Sequence, residues 1–305
     1  MFFNNSKESW FGTLILLAII MIIILWIKRQ DLSPYYEGFT QESPYLFKNG
    51  KNVFDDFYAQ IYNRLMYPDN RCEKQIEKII EMTNPSIEQS SFLDIASGTG
   101  EISKKLSNRG YRVYAIDESK DMTNYVEKTC PNVNVKCGNV REPIQYEKGS
   151  FTHAICNGLG IYLFQDKDEF FKNCFFWIKS GGYLILHLVN PEKFDTIIPG
   201  GNPKLLTNPQ QYSKSRITST GIDFGDFKYK GSYNFKKNNE VIFRESFTDD
   251  LTKNVREQET VYYMKPIDTL IKLASYNGFI VKGQVNFKEI CGDEFQYYII
   301  LERTQ

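Results

Sequence analysis

The chain has 305 residues, 37 basic and 37 acidic side chains, 42% hydrophobic residues and 24% charged ones. That balance suits a folded globular chain, excludes a disordered one, and leaves no basic excess to mark a nucleic-acid binder. Six cysteines form no CxxC pair and there are only two histidines, so no metal site or disulfide framework is expected.

After a short tail (1–10), residues 11–27 read FGTLILLAIIMIIILWI without a charge. As a helix this stretch spans about 25 Å, near the lower limit for crossing a bilayer. Trp10 and Trp26 fall where interfacial aromatics sit, and Lys28 and Arg29 follow directly. The pattern predicts one N-terminal transmembrane helix, hence a single-pass membrane protein with its downstream domain in the cytosol. A signal peptide would carry its charge before the apolar run and a small-residue cleavage site after it. A soluble core helix is rarely apolar on every face. Residues 28–50 hold turn formers without a period and read as a linker. Without the three basic residues and one acidic residue of the first 30 positions, 34 basic and 36 acidic side chains remain, a net charge of −2.

Residues 51–305 read as one domain. VFDDFYAQIYNRLM (53–66) and CEKQIEKIIEM (72–82) have helical spacing. Strands and helices then alternate: SFLDIA (91–96), a helix closed by Gly110, YRVYAID (111–117), a helix capped by Ser119, NVNVKCG (132–138) and SFTHAICNG (150–158). A helix over 167–182 with a glycine stop and a strand over 183–189 complete the series. Short apolar strands alternating with helices imply a parallel sheet covered on both faces. The rhythm breaks over 191–264, where DFKYKGSYNF, EVIFRESFTD and NVREQETVYYM read as antiparallel strands of an insertion. A helix over 267–278 and two strands follow.

The chemistry concentrates in SFLDIASGTGEIS (91–103). In open α/β sheets ligands bind beyond the carboxyl ends of the strands, where strand order reverses. Glycines there let backbone approach a ligand, and the helix behind supplies free N–H groups. Asp117 ends the next strand, placed to accept from ribose hydroxyls. A nicotinamide site would need GxGxxG, and Ser103 stands where its third glycine belongs.

The run LDIASGTG resembles the first motif of class I S-adenosylmethionine-dependent methyltransferases. YAIDES, VKCGNV, FTHAICNGLGIYLF and IKSGGYLILHLVNP resemble the later motifs, in order. The likeness covers roughly 53–190 and 267–303 and is nearest the branch that acts on small molecules. It implies a doubly wound, seven-stranded α/β Rossmann-like sheet ending in an antiparallel hairpin, and S-adenosyl-L-methionine as cofactor. By that resemblance Asp94 and the turn Ala96, Ser97, Gly98, Thr99 and Gly100 hold the methionine end. Asp117 binds the ribose, with Glu118 and Met122 beside the adenosine. Gly138, Asn139 and Val140 meet the base, Asn139 replacing a common Asp and accepting through its carbonyl oxygen. Cys156, Asn157 and Tyr162 line the mouth near the sulfonium. Tyr58 or Tyr62 contacts the sulfonium from a covering helix. His187, ending a strand near the mouth, is the candidate base alongside Tyr62; His153 is structural.

The insertion would select the acceptor. Its aromatics (Phe227, Tyr229, Tyr233, Phe235, Phe243, Tyr262, Tyr263) form either one face of a small sheet or the acceptor site. The expected activity is methyl transfer to an N or O atom of a small-molecule or membrane-associated acceptor. A protein methyltransferase and an inactive methyltransferase-like scaffold are the alternatives.

Overall fold

The computed structural model describes residues 13–23, 41, 43–201 and 209–305. The chain divides into two compact units, 1–42 and 43–305. In the first, residues 13–23 form helix α1, with apolar side chains exposed from Leu14 to Ile23. Among the described residues no helix is long and apolar enough to cross a membrane. The rest of the expected span, Trp10, Lys28, Arg29 and most of the expected linker lie outside the described residues.

The second unit opens with β1 (Tyr45–Asn49), α2 (Asp56–Met66) and α3 (Arg71–Thr83). The alternating series follows: β2 (Ser91–Ile95), α4 (Glu101–Asn108), β3 (Arg112–Asp117), α5 (Lys120–Thr129), β4 (Asn134–Cys137), β5 (Phe151–Cys156), α6 (Asp168–Trp177) and β6 (Ile178–Val189). The insertion holds β7 (Ser219–Asp223), β8 (Phe227–Phe235), β9 (Glu240–Asp249) and β10 (Val255–Tyr263). The chain ends with α7 (Ile267–Tyr276), β11 (Phe279–Asn286), α8 (Lys288–Cys291) and β12 (Gln296–Arg303).

One sheet has seven strands in the order β11-β12-β6-β5-β2-β3-β4. Strands β2 to β6 pair in parallel, while β12 runs antiparallel to both β6 and β11. This is the expected α/β sheet with its terminal hairpin. Every residue of β2 is buried, as both-face coverage requires. Its even positions, Phe92 and Asp94, share one face, where Phe92 joins a core with Ile76, Ile102, Leu106 and Val126. The chain moves outward through β3 and β4 and returns to β5 on the other side of β2. The carboxyl ends of β2 and β5 are therefore the switch point of the sheet.

Two expected boundaries change. The linker expected over 28–50 ends early, because residues 45–49 are strand β1, parallel to β10, in a second sheet ordered β1-β10-β9-β8-β7. The helix expected to run to 182 ends at Trp177. Gly181 and Gly182 are not a helix stop but lie in β6, where the register against β5 shifts between Phe151 and His153. A Cβ on Gly182 would lie 2.7 Å from the Thr152 carbonyl oxygen, so only glycine fits.

The second sheet grips α2. Asp55 caps that helix by accepting from the Tyr58 N–H at 3.2 Å. Its carboxylate also takes both guanidinium nitrogens of Arg256 at 2.9 and 3.0 Å. Arg256 Nε donates to Gln258 Oε1 at 3.0 Å, and Gln258 Nε2 donates to Glu245 at 2.8 Å. Glu245 also accepts from the hydroxyls of Tyr58 and Tyr229. With Arg256 buried, removing its partner leaves an unpaired internal cation. Asp55→Ala should lower the unfolding free energy by about 3 kcal/mol. Adding Arg256→Met should recover part of that loss, as read by urea denaturation.

Candidate active site

A cavity of about 440 Å³ opens at the switch point. Its floor is the turn after β2. Ala96, Gly98 and Gly100 all hold φ between +52° and +74°. A side chain on Gly100 would meet Val126 at 2.9 Å, whereas one on Gly98 would meet nothing within 4 Å and would project into open space. Ala96 adopts this conformation without being glycine, a local strain on the order of 1 kcal/mol.

Asp117 fixes the turn from the side. One carboxylate oxygen accepts from Gly98 N and the other from Ser119 N, both at 2.9 Å. Asp94 lies beneath, buried, accepting from Ser103 Oγ at 2.7 Å. Burial pushes its carboxyl up to about 7 against the opposing effect of the Ser103 hydrogen bonds. Burial also raises Asp117.

The roof is α2 with β10. Phe54, Tyr58, Tyr62 and Tyr262 face the cavity, and the Tyr58 and Tyr62 rings meet edge-on at 5.4 Å. Three hydrogen bonds tie roof to floor. Ser119 Oγ donates to the Phe54 carbonyl, Thr99 Oγ1 donates to Asn63 Oδ1 at 2.5 Å, and Asn63 Nδ2 donates to Glu101 at 2.9 Å.

Comparison with known proteins shows what this region resembles. Residues 92–182 match the family described as a methyltransferase domain. The Bacillus subtilis protein YqeM, provisionally named a methyltransferase, is 30% identical over 149 residues, 47% of this chain and 58% of YqeM. The chain therefore matches less than two thirds of that curated relative. Solved structures share the fold at low identity. An S-adenosylmethionine-dependent methyltransferase from Clostridium acetobutylicum matches with TM-score 0.62 and 16% identity, over 82% of this chain and 99% of its own. The CcbJ methyltransferase from Streptomyces caelestis matches with TM-score 0.64 and 12% identity, over 84% and 99%. CalS10 from Micromonospora echinaspora, an amino pentose methyltransferase solved with S-adenosylmethionine bound, matches with TM-score 0.57 and 13% identity, over 81% and 96%. The chain carries a methyltransferase domain of the class I fold.

The cofactor of such domains is S-adenosylmethionine, and the residues of this methyltransferase domain fit it. Ser97 Oγ is buried at the cavity wall without a hydrogen-bond partner. The open space over Gly98 leaves room for a ligand against the backbone. Of the residues expected from sequence, Tyr58, Tyr62, Asp94, Ala96, Ser97 and Gly98 line the cavity. So do Asp117, Glu118, Met122, Gly138, Asn139, Val140 and Asn157.

Others stand back from it. Thr99 is buried against Asn63, and Gly100 is the N-cap of α4. Cys156 is fully buried, its thiol pushed up by burial, and does not line the mouth. Tyr162 is likewise buried, because its hydroxyl is pinned to the backbone of Val189, accepting from the N–H at 3.0 Å. Tyr58 lines the cavity, but its hydroxyl is committed to Glu245 at 2.8 Å, so its ring alone can serve a ligand. Asn139 Oδ1 accepts from Arg141 N at 3.0 Å and so does not keep the free carbonyl oxygen expected of it. Its NH2 group remains to donate.

His187 lies in a second, smaller cavity of about 120 Å³. Its ring stacks on Phe287 at 4.5 Å, and burial pushes it down to about 4. The ring is therefore neutral at neutral pH and a weak acceptor of a further proton. The two cavities share Tyr62, Met66, Tyr67, Asn157, Gly158, Leu159 and Tyr262. His153, also buried, stacks on Phe92 as a core residue.

Sequence reading missed Phe54, Tyr67 and the buried acid Glu245, which burial raises to about 7. Glu245 had a readable signal. Val241, Phe243 and Phe247 alternate on the buried face of β9, and an acid in that register demands partners. The insertion aromatics divide: Phe227, Tyr229 and Phe243 form the sheet's buried face, while Tyr262 and Tyr263 line the main cavity.

Asp94 and Glu245 hold protons in the folded state that the unfolded chain has released above about pH 4. Stability without ligand should therefore fall as pH rises from about 4 through about 7, then level off. Asp94→Asn should flatten part of that slope in thermal melts taken across this range.

Proposed function

We propose that this protein is an S-adenosylmethionine-dependent methyltransferase that alkylates an amine of a small molecule. The observation that carries the reading is the pair of cavities that meet at one aromatic wall. The larger lies over the glycine turn and Asp117, and the smaller lies on the side of the insertion. The cofactor supplies a methyl group on a sulfonium, so transfer is an in-line displacement. The chain's tasks are alignment and exclusion of water.

The residues divide that work by charge. Asp94 would hold the methionine ammonium, Asp117 the ribose hydroxyls, and the Tyr58 and Tyr62 rings would face the sulfonium. The NH2 group of Asn139 would donate to a ring nitrogen of adenine. None of the groups around the shared wall suits removal of a proton from an alcohol at neutral pH. Burial raises the phenols of Tyr62, Tyr67 and Tyr262, and it lowers His187 to about 4. An unprotonated amine brings its own lone pair and needs no base at the moment of transfer. The amino pentose methyltransferase among the fold relatives is in line with such an acceptor.

We also read residues 11–27 as a single-pass anchor that holds the domain on the cytosolic side, within reach of membrane-associated acceptors. The support is the uncharged run followed by Lys28 and Arg29, and the exposed apolar side chains of α1. Recovery of the full chain in the supernatant after alkaline carbonate extraction of membranes would remove the anchor.

Calorimetric titration of the full chain with S-adenosylhomocysteine tests the activity's foundation. Wild type should bind, and Asp117→Ala should bind about 100-fold more weakly, as loss of charge-assisted hydrogen bonds predicts. A folded wild-type protein that binds neither S-adenosylmethionine nor S-adenosylhomocysteine would leave a scaffold as the better description.

A further inference from the structure

The smaller cavity contains a cation that the described structure pairs only loosely. Arg71 is the first residue of α3, and its side chain is only 16% exposed. Its Nε is buried without a hydrogen-bond partner. Its ion pair is a loose one, to Asp69 at 3.9 Å, and that acid is 42% exposed. Among the described residues the guanidinium makes no hydrogen bond. A mostly buried guanidinium has five donors to satisfy, and leaving them unmet is costly. The position adds to the cost, because the amino end of a helix disfavours cations.

A second group in the same cavity is also unsatisfied. His187 is 6% exposed, and its Nδ1 has no hydrogen-bond partner. Gln296 donates its Nε2 to Asp293 at 2.7 Å, which turns Gln296 Oε1 toward His187 Nε2 at 2.9 Å. The proton of the neutral ring is thereby assigned to Nε2. Asp195 lines the cavity too, with Oδ1 accepting from Ile197 N at 2.9 Å.

Building on the methyltransferase reading, we propose that Arg71 anchors a carboxylate of the methyl acceptor, making that acceptor a small amine with an acid group. The carboxylate would sit on the guanidinium, and the amine would point to the wall shared with the cofactor cavity. Among the described lining residues Arg71 is the one cation, and a carboxylate brings a single negative charge to it. Its planar fork fits a planar carboxylate. A phosphate would bring a second charge into a space that already holds Asp195. About 120 Å³, the share of about four waters, accommodates little more than the acid group and its neighbouring atoms.

The test is a titration of the full chain with sodium acetate, followed by the Arg Nε–H and His187 ring resonances, with and without S-adenosylhomocysteine. Sodium chloride at matched ionic strength and methyl phosphate are the comparison arms. Acetate should give a saturable shift that chloride does not. Read at His187, acetate affinity should fall about tenfold or more in Arg71→Gln and less in Arg71→Lys. Calorimetric binding of S-adenosylhomocysteine should be unchanged in both variants, which also shows that they fold. An acetate response no larger than that of chloride, or one kept in full by Arg71→Gln, would overturn the proposal. So would tighter binding of methyl phosphate than of acetate. Failure of wild type to bind S-adenosylhomocysteine would remove the methyltransferase reading alone, because the acetate titration without cofactor reads Arg71 independently.

Discussion

One buried relay holds the roof of the cavity in place. It runs from Asp55 through Arg256 and Gln258 to Glu245, and ends on the hydroxyls of Tyr58 and Tyr229. Helix α2 lies between this relay and the glycine turn, to which Asn63 binds it through Thr99, while the Phe54 carbonyl just before the helix accepts from Ser119 at the start of α5. Without the relay, α2 would keep its apolar packing against the second sheet and the partly exposed Arg64–Asp226 pair near its C-terminal end. With it, the helix is fixed in rotation, since Asp55 and Tyr58 lie within one turn and each has a directional partner. The aromatic wall inherits that precision.

A relay of this kind is a poor source of net stability. Burying Arg256 and Glu245 costs desolvation that their contacts roughly offset, and a well-packed apolar set could be as stable. What the polar version adds is geometry. Apolar side chains would let α2 slide or rotate at little cost. A bidentate guanidinium pair and a three-donor carboxylate permit a single register. The cost of that choice is visible in the raised carboxyl of Glu245, which sits near the edge of its own ionisation.

The floor and the covering helix were legible in the sequence and the contacts that fix the roof were not, for a physical reason. The glycine turn, Asp94 and Asp117 are local: each sits at the end of a strand, and adjacent residues dictate its backbone. Periodicity also placed β8, β9 and β10 closely, because half-buried antiparallel strands alternate. Strand β1 was missed because it is stabilised by residues about 200 positions away in β10, and YLFKN carries little pattern of its own. The same distance hides the relay, in which Asp55 meets Arg256. Tyr162 and Cys156 failed differently. Their motif placed them near the mouth, but the Val189 backbone draws the Tyr162 hydroxyl inward, and Cys156 is sealed in the core.

The distribution of charge gives the two cavities different characters. Beneath the larger one, Asp94 and Asp117 carry carboxyls that burial holds above their ordinary range, so a cationic ligand relieves both. Above it stand phenol rings that burial keeps neutral, with electron-rich faces that favour a positive centre. On the proposed reading, this arrangement distinguishes cofactor from product. S-adenosylmethionine brings an ammonium to the floor and a sulfonium to the roof, whereas S-adenosylhomocysteine retains only the ammonium. Transfer of the methyl group therefore removes the roof's share of the attraction while leaving the floor's intact. On that reading the aromatic wall held by Glu245 would help to recruit the charged donor and to loosen the neutral thioether it becomes.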